Sequence, residues 1–188
     1  MTTLEIRFVT GNKYKAAEAM QILSAASINV LKLDIKLEEL QTENTELLVK
    51  DKKLKAFRHV GRPLFVEHTG LYLSHLNGLP GGLTEIFWNR LKADRFSELF
   101  GQTDDPSVTA MTVIGYTDGM KFYVFSGSIK GRISASPSGP RDFQWDCVFI
   151  PDGQTRTFAE MGDEKNQLSM RRRALDNMAS FLSQQGRV

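Results

Sequence analysis

Apolar and polar positions alternate and then cluster at the start of the chain, and the pattern changes period several times along it. Leu4 to Thr10 (LEIRFVT) alternates and then runs apolar, which predicts a strand, and Gly11-Asn12 breaks it. From Lys13 to Ala25 the apolar residues Ala16, Met20 and Leu23 recur at helical spacing. The opening therefore reads as strand, glycine turn, helix. Ile28 to Leu33 predicts a second strand, and Asn44 to Val60 a lysine-rich amphipathic helix that turns Leu47, Leu48, Leu54 and Phe57 to the core. Pro63 to Val66 begins a third, buried strand.

The Pro and Gly residues of Asn77 to Gly82 (NGLPGG) stop any helix, and helical spacing resumes over Thr84 to Phe100. Between Ser107 and Ile133 two or three antiparallel strands are predicted, separated by turn signals such as TDG and SGS. After Ser136 to Pro140 (SPSGP), Phe143 to Ile150 reads as an aromatic strand. Glu164 to Gln184 reads as a closing helix with Leu168, Leu175, Met178 and Leu182 at core spacing. Alternating strands and helices followed by antiparallel strands predict an α/β fold, with a mixed, twisted central sheet and flanking helices, and not a simple doubly wound one.

Composition narrows the class. With 188 residues the chain suits a single domain, 1–188, and its 41% hydrophobic and 24% charged residues match a folded globular protein. No apolar run approaches the roughly 20 residues that cross a bilayer, and acidic Glu5 stands where a signal peptide is basic, so a cytoplasmic protein is expected. The lone Cys147 reads as a small buried apolar residue. A net charge of +2 is too weak to indicate specific nucleic-acid binding. Two basic clusters, Lys50 to Lys55 and Arg171 to Arg173, fit either solvated helix faces or a phosphate site.

Four segments carry candidate chemistry. In Thr10-Gly11-Asn12-Lys13-Tyr14-Lys15 a glycine lets the backbone approach a ligand, a helix N-terminus offers N–H groups, and Lys15 can reach back to an anion. Glu67-His68-Thr69-Gly70 follows a buried strand, where α/β proteins place polar site residues. Phe143-Gln144-Trp145-Asp146 can stack a base and accept a hydrogen bond from it. Last comes Phe158-Ala159-Glu160-Met161 with Glu164-Lys165-Asn166 and Ser169-Met170-Arg171. There Lys165 and Arg171, six residues apart, converge only through a bent helix entry.

In this order and spacing, TGNKYK, VEHTG with LNGLPGG, FQWD, FAEM, EKN and SMRRRAL resemble the inosine triphosphatase (Ham1) family from Phe8 to about Leu182. Its members typically read TGNxxK, EDTGL or DDSGL with a GLPG-like loop, FGWDP or FGYDP, AEM, EK and SHR. The resemblance implies two lobes around a nucleotide cleft. It also implies hydrolysis of non-canonical purine nucleoside triphosphates to monophosphate and pyrophosphate with Mg²⁺, and a homodimer. Carried onto this chain, Thr10, Gly11, Asn12, Lys15 and Lys52 bind the triphosphate, with Lys55 a rival to Lys52, and Thr69 touches substrate. Phe143, Gln144, Trp145 and Asp146 hold the base, Lys165, Met170 and Arg171 complete the pocket, and Glu39 ligates metal.

Three positions depart from the pattern. His68 stands where the family has a metal-binding, proton-accepting aspartate, leaving Glu67 and Glu39 nearby and favouring Mn²⁺ or another divalent ion over Mg²⁺. Imidazole is nonetheless a competent base near neutrality, so catalysis is assigned to His68, Glu67 and Lys15. Gln144 replaces a glycine, and Met170 replaces the histidine of SHR. The alternative implied by these changes is a nucleotide-binding protein that has lost hydrolysis or acts on a different modified nucleotide.

Overall fold

The computed structural model describes residues 4–185. Its strands and helices follow in the order β1 (Leu4–Val9), α1 (Lys13–Ser24), β2 (Ile28–Leu33), α2 (Thr45–Val60), β3 (Leu64–Leu73), β4 (Pro80–Gly81), α3 (Thr84–Phe100), β5 (Ser107–Thr117), β6 (Phe122–Ile133), β7 (Phe149–Pro151), α4 (Phe158–Met161) and α5 (Met170–Gln185). One seven-stranded sheet joins them in the order β2-β1-β3-β5-β6-β7, with β4 paired to β3. β1 lies parallel to β2 and β3, and all other pairs are antiparallel. The mixed sheet predicted from the sequence is therefore present.

Alternation along β3 organises the interior, because successive side chains of a strand point to opposite faces. Phe65 joins the apolar cluster under α1 and α5, stacked on Phe8 at 4.3 Å. Leu64 and Val66 join a second cluster under α2. Leu71 and Leu73 belong to a third, built on α3 with Trp145, Phe149 and Phe158. The polar run Glu67-His68-Thr69 lies between these apolar stretches, still inside the strand and buried. It is paired with Ile114, Val113 and Thr112 of β5.

Several predicted boundaries move. The third strand does not stop at Val66 but continues to Leu73, so Glu67, His68 and Thr69 are strand residues and not the loop after one. Phe143 to Ile150 is not a strand: Gln144 to Cys147 form a 3₁₀ turn, Gln144 takes φ +44°, and only Phe149–Pro151 pair with β6. Glu164 to Gln184 is not one helix either, since a 3₁₀ segment, Gly162 to Gln167, precedes α5. In α2 the buried face is Thr45, Leu48, Val49, Lys53 and Ala56, which leaves Leu47 and Leu54 exposed. Met20 of α1 is likewise exposed.

Gly70 explains why a glycine ends VEHTG. A Cβ there would lie 2.5 Å from the Gly81 carbonyl oxygen, so only glycine admits the close approach of β3 and β4. Cys147 is buried and free, as its composition suggested. Among the described residues no helix is long and apolar enough to cross a membrane.

Candidate nucleotide site

The loop between β1 and α1 forms one wall of a cleft of about 350 Å³, lined by Thr10, Gly11, Asn12, Lys15, Lys52 and Gln144 together with Asp34, Lys36, Glu39 and Glu85. Helix α1 starts here because Asn12 caps it. Its Oδ1 accepts from the N–H groups of Tyr14 and Lys15 at 3.0 and 3.1 Å. Those two helix donors are thus already taken, contrary to the expectation that the first turn presents them free. What faces the cleft instead is the Thr10-Gly11 backbone and the lysines. Gly11 sits close to Asp34, whose Oδ1 would lie 3.3 Å from a Cβ placed there.

Beneath the loop lies a buried ionic network. Glu67 accepts from Arg171 Nε at 2.7 Å and Nη2 at 3.2 Å, and Lys15 Nζ stands 2.9 Å from Glu67 Oε1. Arg171 also bonds Glu18 and reaches Thr69 Oγ1 at 3.3 Å, while Thr69 shares a 2.6 Å hydrogen bond with Thr112. Lys165 joins Glu18 at 2.7 Å and pairs with Asp146. Lys165 and Arg171 therefore do converge, on Glu18, through the bend between the 3₁₀ segment and α5. Burial disfavours an ionised Glu67, but Arg171 and Lys15 outweigh it and hold the carboxyl well below its usual range. Asp146 behaves oppositely. Burial pushes it up to about 6, with Lys165 opposing and Glu18 adding to the rise.

On the other face of β3 the arrangement is sparser. His68 Nδ1 is 3.7 Å from Glu39 Oε2, too far for a hydrogen bond, and Nε2 is buried without a partner. Burial pulls the imidazole pKa down against the pull of Glu39, so His68 is neutral at pH 7. Glu39 pairs with Lys52, and together with His68 this outweighs its own burial and lowers its pKa well below the carboxylate range. Lys52 also donates to the Glu67 carbonyl at 3.3 Å.

A second cavity of about 240 Å³ opens beside the network, lined by Tyr14, Glu18, Gln21, Phe143, Asp146, Lys165 and Asn166. Tyr14 stacks on Phe143 at 5.0 Å, and Lys165 Nζ lies over the Phe143 ring at 4.4 Å. An aromatic face with buried acids, a lysine and amides can take a flat, polar-edged ring.

Not every predicted residue reaches a cavity. Trp145 and Met170 are packed into the α3 core cluster. Thr69 is buried behind Arg171. Each basic cluster contributes one side chain: Lys55 turns away to the Glu38 carbonyl and Asp51, Lys53 lies under Phe122, Arg172 pairs with Asp176, and Arg173 bonds the Ser128 carbonyl. Lys52 alone of the first cluster faces the main cleft. The sequence reading missed Glu18, Tyr14 and Glu85. Glu18 was detectable as a carboxylate on the buried face of α1, three residues beyond Lys15.

A mixed sheet with a cleft lined by three lysines and three carboxylates at a strand–glycine–helix turn, and with a second, partly aromatic cavity, defines the class as α/β with a charged cleft. The Ham1 family model matches residues 6–181, so the chain belongs to the Ham1 family. It is 33% identical to the dITP/XTP pyrophosphatase of Methanopyrus kandleri, over 95% of this chain and 96% of that one. It is 35% identical to the inosine triphosphate pyrophosphatase of Candida glabrata, over 97% and 99% of the two chains. The fold matches the solved Ham1 proteins of Staphylococcus aureus (TM-score 0.73, 24% identity, 96% and 99% coverage) and Coxiella burnetii (TM-score 0.74, 24% identity, 96% and 99% coverage).

Family membership implies a divalent cation. Among the described residues, no group of three or more His, Cys, Asp or Glu side chains is arranged to hold one. The chemistry of the donors says why: Glu67 is occupied by Arg171 and Lys15, and Glu39 by Lys52. As they stand, these residues do not fit a metal.

Proposed function

We propose that this protein hydrolyses non-canonical purine nucleoside triphosphates of the ITP and XTP type to the monophosphate and pyrophosphate. The observation that supports the reading is that Lys15 and Lys52 line one cavity and Lys165 a second, while buried Arg171 ties Glu67 to Glu18. Thr10, Gly11, Asn12, Lys15 and Lys52 bind the polyphosphate, where charge-assisted contacts are strongest. Phe143 offers the base a face, and Asp146 and Lys165 its polar edge. Arg171 fixes Glu67 and the bend of the last helix.

His68 is the group available to take a proton. A neutral imidazole is a base at pH 7 with no partner to surrender, and its unpartnered Nε2 lies buried in the strand wall. A divalent cation, Mg²⁺ or Mn²⁺, would have to enter with the substrate, since the described residues do not hold one by themselves. A cytoplasmic homodimer is the proposed working form. Steady-state rates across ITP, dITP, XTP and the four standard triphosphates, each with Mg²⁺ and with Mn²⁺, test the reading. Turnover of the 6-oxo purines ahead of ATP supports it, and no turnover at saturation removes it.

The carboxylate-to-histidine exchange favours one second reading, a nucleotide-binding protein without hydrolysis. Calorimetric binding of ITP that survives unchanged for hours would establish that reading over the first.

A further inference from the structure

Three carboxylates line the main cleft, and they are not alike. Glu39 is paired with Lys52, and Asp34 with Lys32 at 3.1 Å. Glu85 is exposed and has neither an ion pair nor a side-chain hydrogen bond among the described residues. Its place is fixed by the start of α3. Thr84 Oγ1 accepts from the Leu71 N–H at 2.8 Å and donates to the Gly81 carbonyl at 2.7 Å, which ties the first turn of α3 to β3 and β4. An acid in a first turn suits a helix N-terminus, so a role confined to the helix is the rival explanation for this residue.

The surroundings of Glu85 point further. Lys15, Lys36 and Lys52 line the main cleft. Glu85 and Glu39 also line a third cavity, of about 320 Å³, whose other polar side chains are Gln41, His68 and Asn89, with no lysine or arginine among the described residues. The lysine-lined path for an anion therefore ends at Glu85. A negative ligand that reaches it meets an uncompensated negative charge, felt over a Debye length of about 8 Å at physiological ionic strength.

We infer that Glu85 is a specificity-determining residue: it limits the negative charge that the cleft accepts, by repelling the polyphosphate at the boundary between the lysine-lined cleft and the third cavity. The inference rests on the polyphosphate reading of the cleft. The repulsion grows with the charge of the ligand, so it weighs more on the longer of two phosphate chains.

The test reads binding, not turnover. Calorimetric titrations with inorganic orthophosphate, pyrophosphate and tripolyphosphate, in a chelator so that no metal intervenes, compare wild type with Glu85→Gln, Glu85→Lys and Asp34→Asn. Pyrophosphate should bind Glu85→Gln about threefold more tightly than wild type, the scale of repulsion between one carboxylate and a few charges across a water-filled cleft. The gain should be larger for tripolyphosphate and smaller for orthophosphate. It should be larger again on Glu85→Lys, and smaller on Asp34→Asn, whose charge Lys32 already offsets. In about 1 M salt, where the Debye length is about 3 Å, it should largely vanish. Equal phosphate affinities in wild type and Glu85→Gln assign Glu85 to the helix alone and overturn the inference. A gain of equal size for all three phosphates or on Asp34→Asn, or one that salt leaves intact, overturns it as well. Should neither wild type nor any variant bind tripolyphosphate, the polyphosphate reading of the cleft fails and takes the inference with it.

Discussion

Glu67 and His68 are neighbours in one strand, yet they occupy two different electrostatic worlds. Glu67 faces α1 and α5, where Arg171, Lys15, Glu18, Lys165 and Asp146 form a continuous buried network. His68 faces α2, with a distant Glu39 on one nitrogen and no partner on the other. The difference follows from the two-residue period of the strand, which sends consecutive polar side chains to opposite layers. One side is fully paired, and the other leaves a buried nitrogen without a partner.

The sharpest way to break this comparison is to delete a member of each side. Arg171→Met leaves Glu67 and Glu18 buried with reduced compensation and should cost about 3–5 kcal/mol in urea unfolding. His68→Asn removes no ion pair from a hydrogen-bonded network and should cost well under half as much. Similar losses for both variants would erase the distinction.

His68→Asp probes the sparse side by placing a hard oxygen donor beside Glu39. The ratio of the Mn²⁺-supported to the Mg²⁺-supported kcat/KM should fall about tenfold, equivalent to about 1.4 kcal/mol of transition-state free energy. An unchanged ratio would separate His68 from metal choice.

Acid titration sharpens the crowded side. Glu67 has a depressed pKa, so its ion pairs contribute stability above its unfolded value of 4.5, and that contribution is lost as the pH falls further. Asp146 works in the other direction. Its pKa rises from 3.8 to about 6, so the native state holds a proton that the unfolded chain has released, and this contribution disappears as the pH rises through 6. The urea midpoint of Asp146→Asn should therefore depend less on pH between 4 and 6 than that of wild type. Burial lowers the His68 pKa, so an acid limb of kcat/KM set by His68 should lie below its ordinary value of 6.5.

The smallest expected effect is at Gln144. Its φ of +44° lies in the left-handed region, which costs a side-chain-bearing residue about 1–2 kcal/mol, while glycine gives back part of that gain as unfolded-state entropy. Gln144→Gly should stabilise the fold by about 0.5 kcal/mol, read as a rise in Tm of a few degrees or less.

The amphipathic helices and the apolar strands were legible in the sequence because their periodicity is local. The polar half of β3 was not, since Glu67 and Thr69 are buried against partners far along the chain: Arg171 lies 104 residues beyond Glu67 and 102 beyond Thr69. The segment around Trp145 misled for the opposite reason. Its alternating aromatics imitate a strand, but they serve a 3₁₀ turn whose Gln144 has a backbone angle no strand adopts. Motif order singled out Thr10, Gly11, Asn12, Lys15, Lys52 and Gln144, which line one cavity. It did not reveal that Trp145 and Met170 would be core residues, or that Glu18 would join the two basic side chains.

Phosphorus NMR of the products formed from ITP tests the central claim most directly. With Mn²⁺ present, the account predicts inosine monophosphate and pyrophosphate appearing in equal amounts with no inosine diphosphate. Orthophosphate with inosine diphosphate, or an unchanged ITP spectrum at saturating protein, would contradict it.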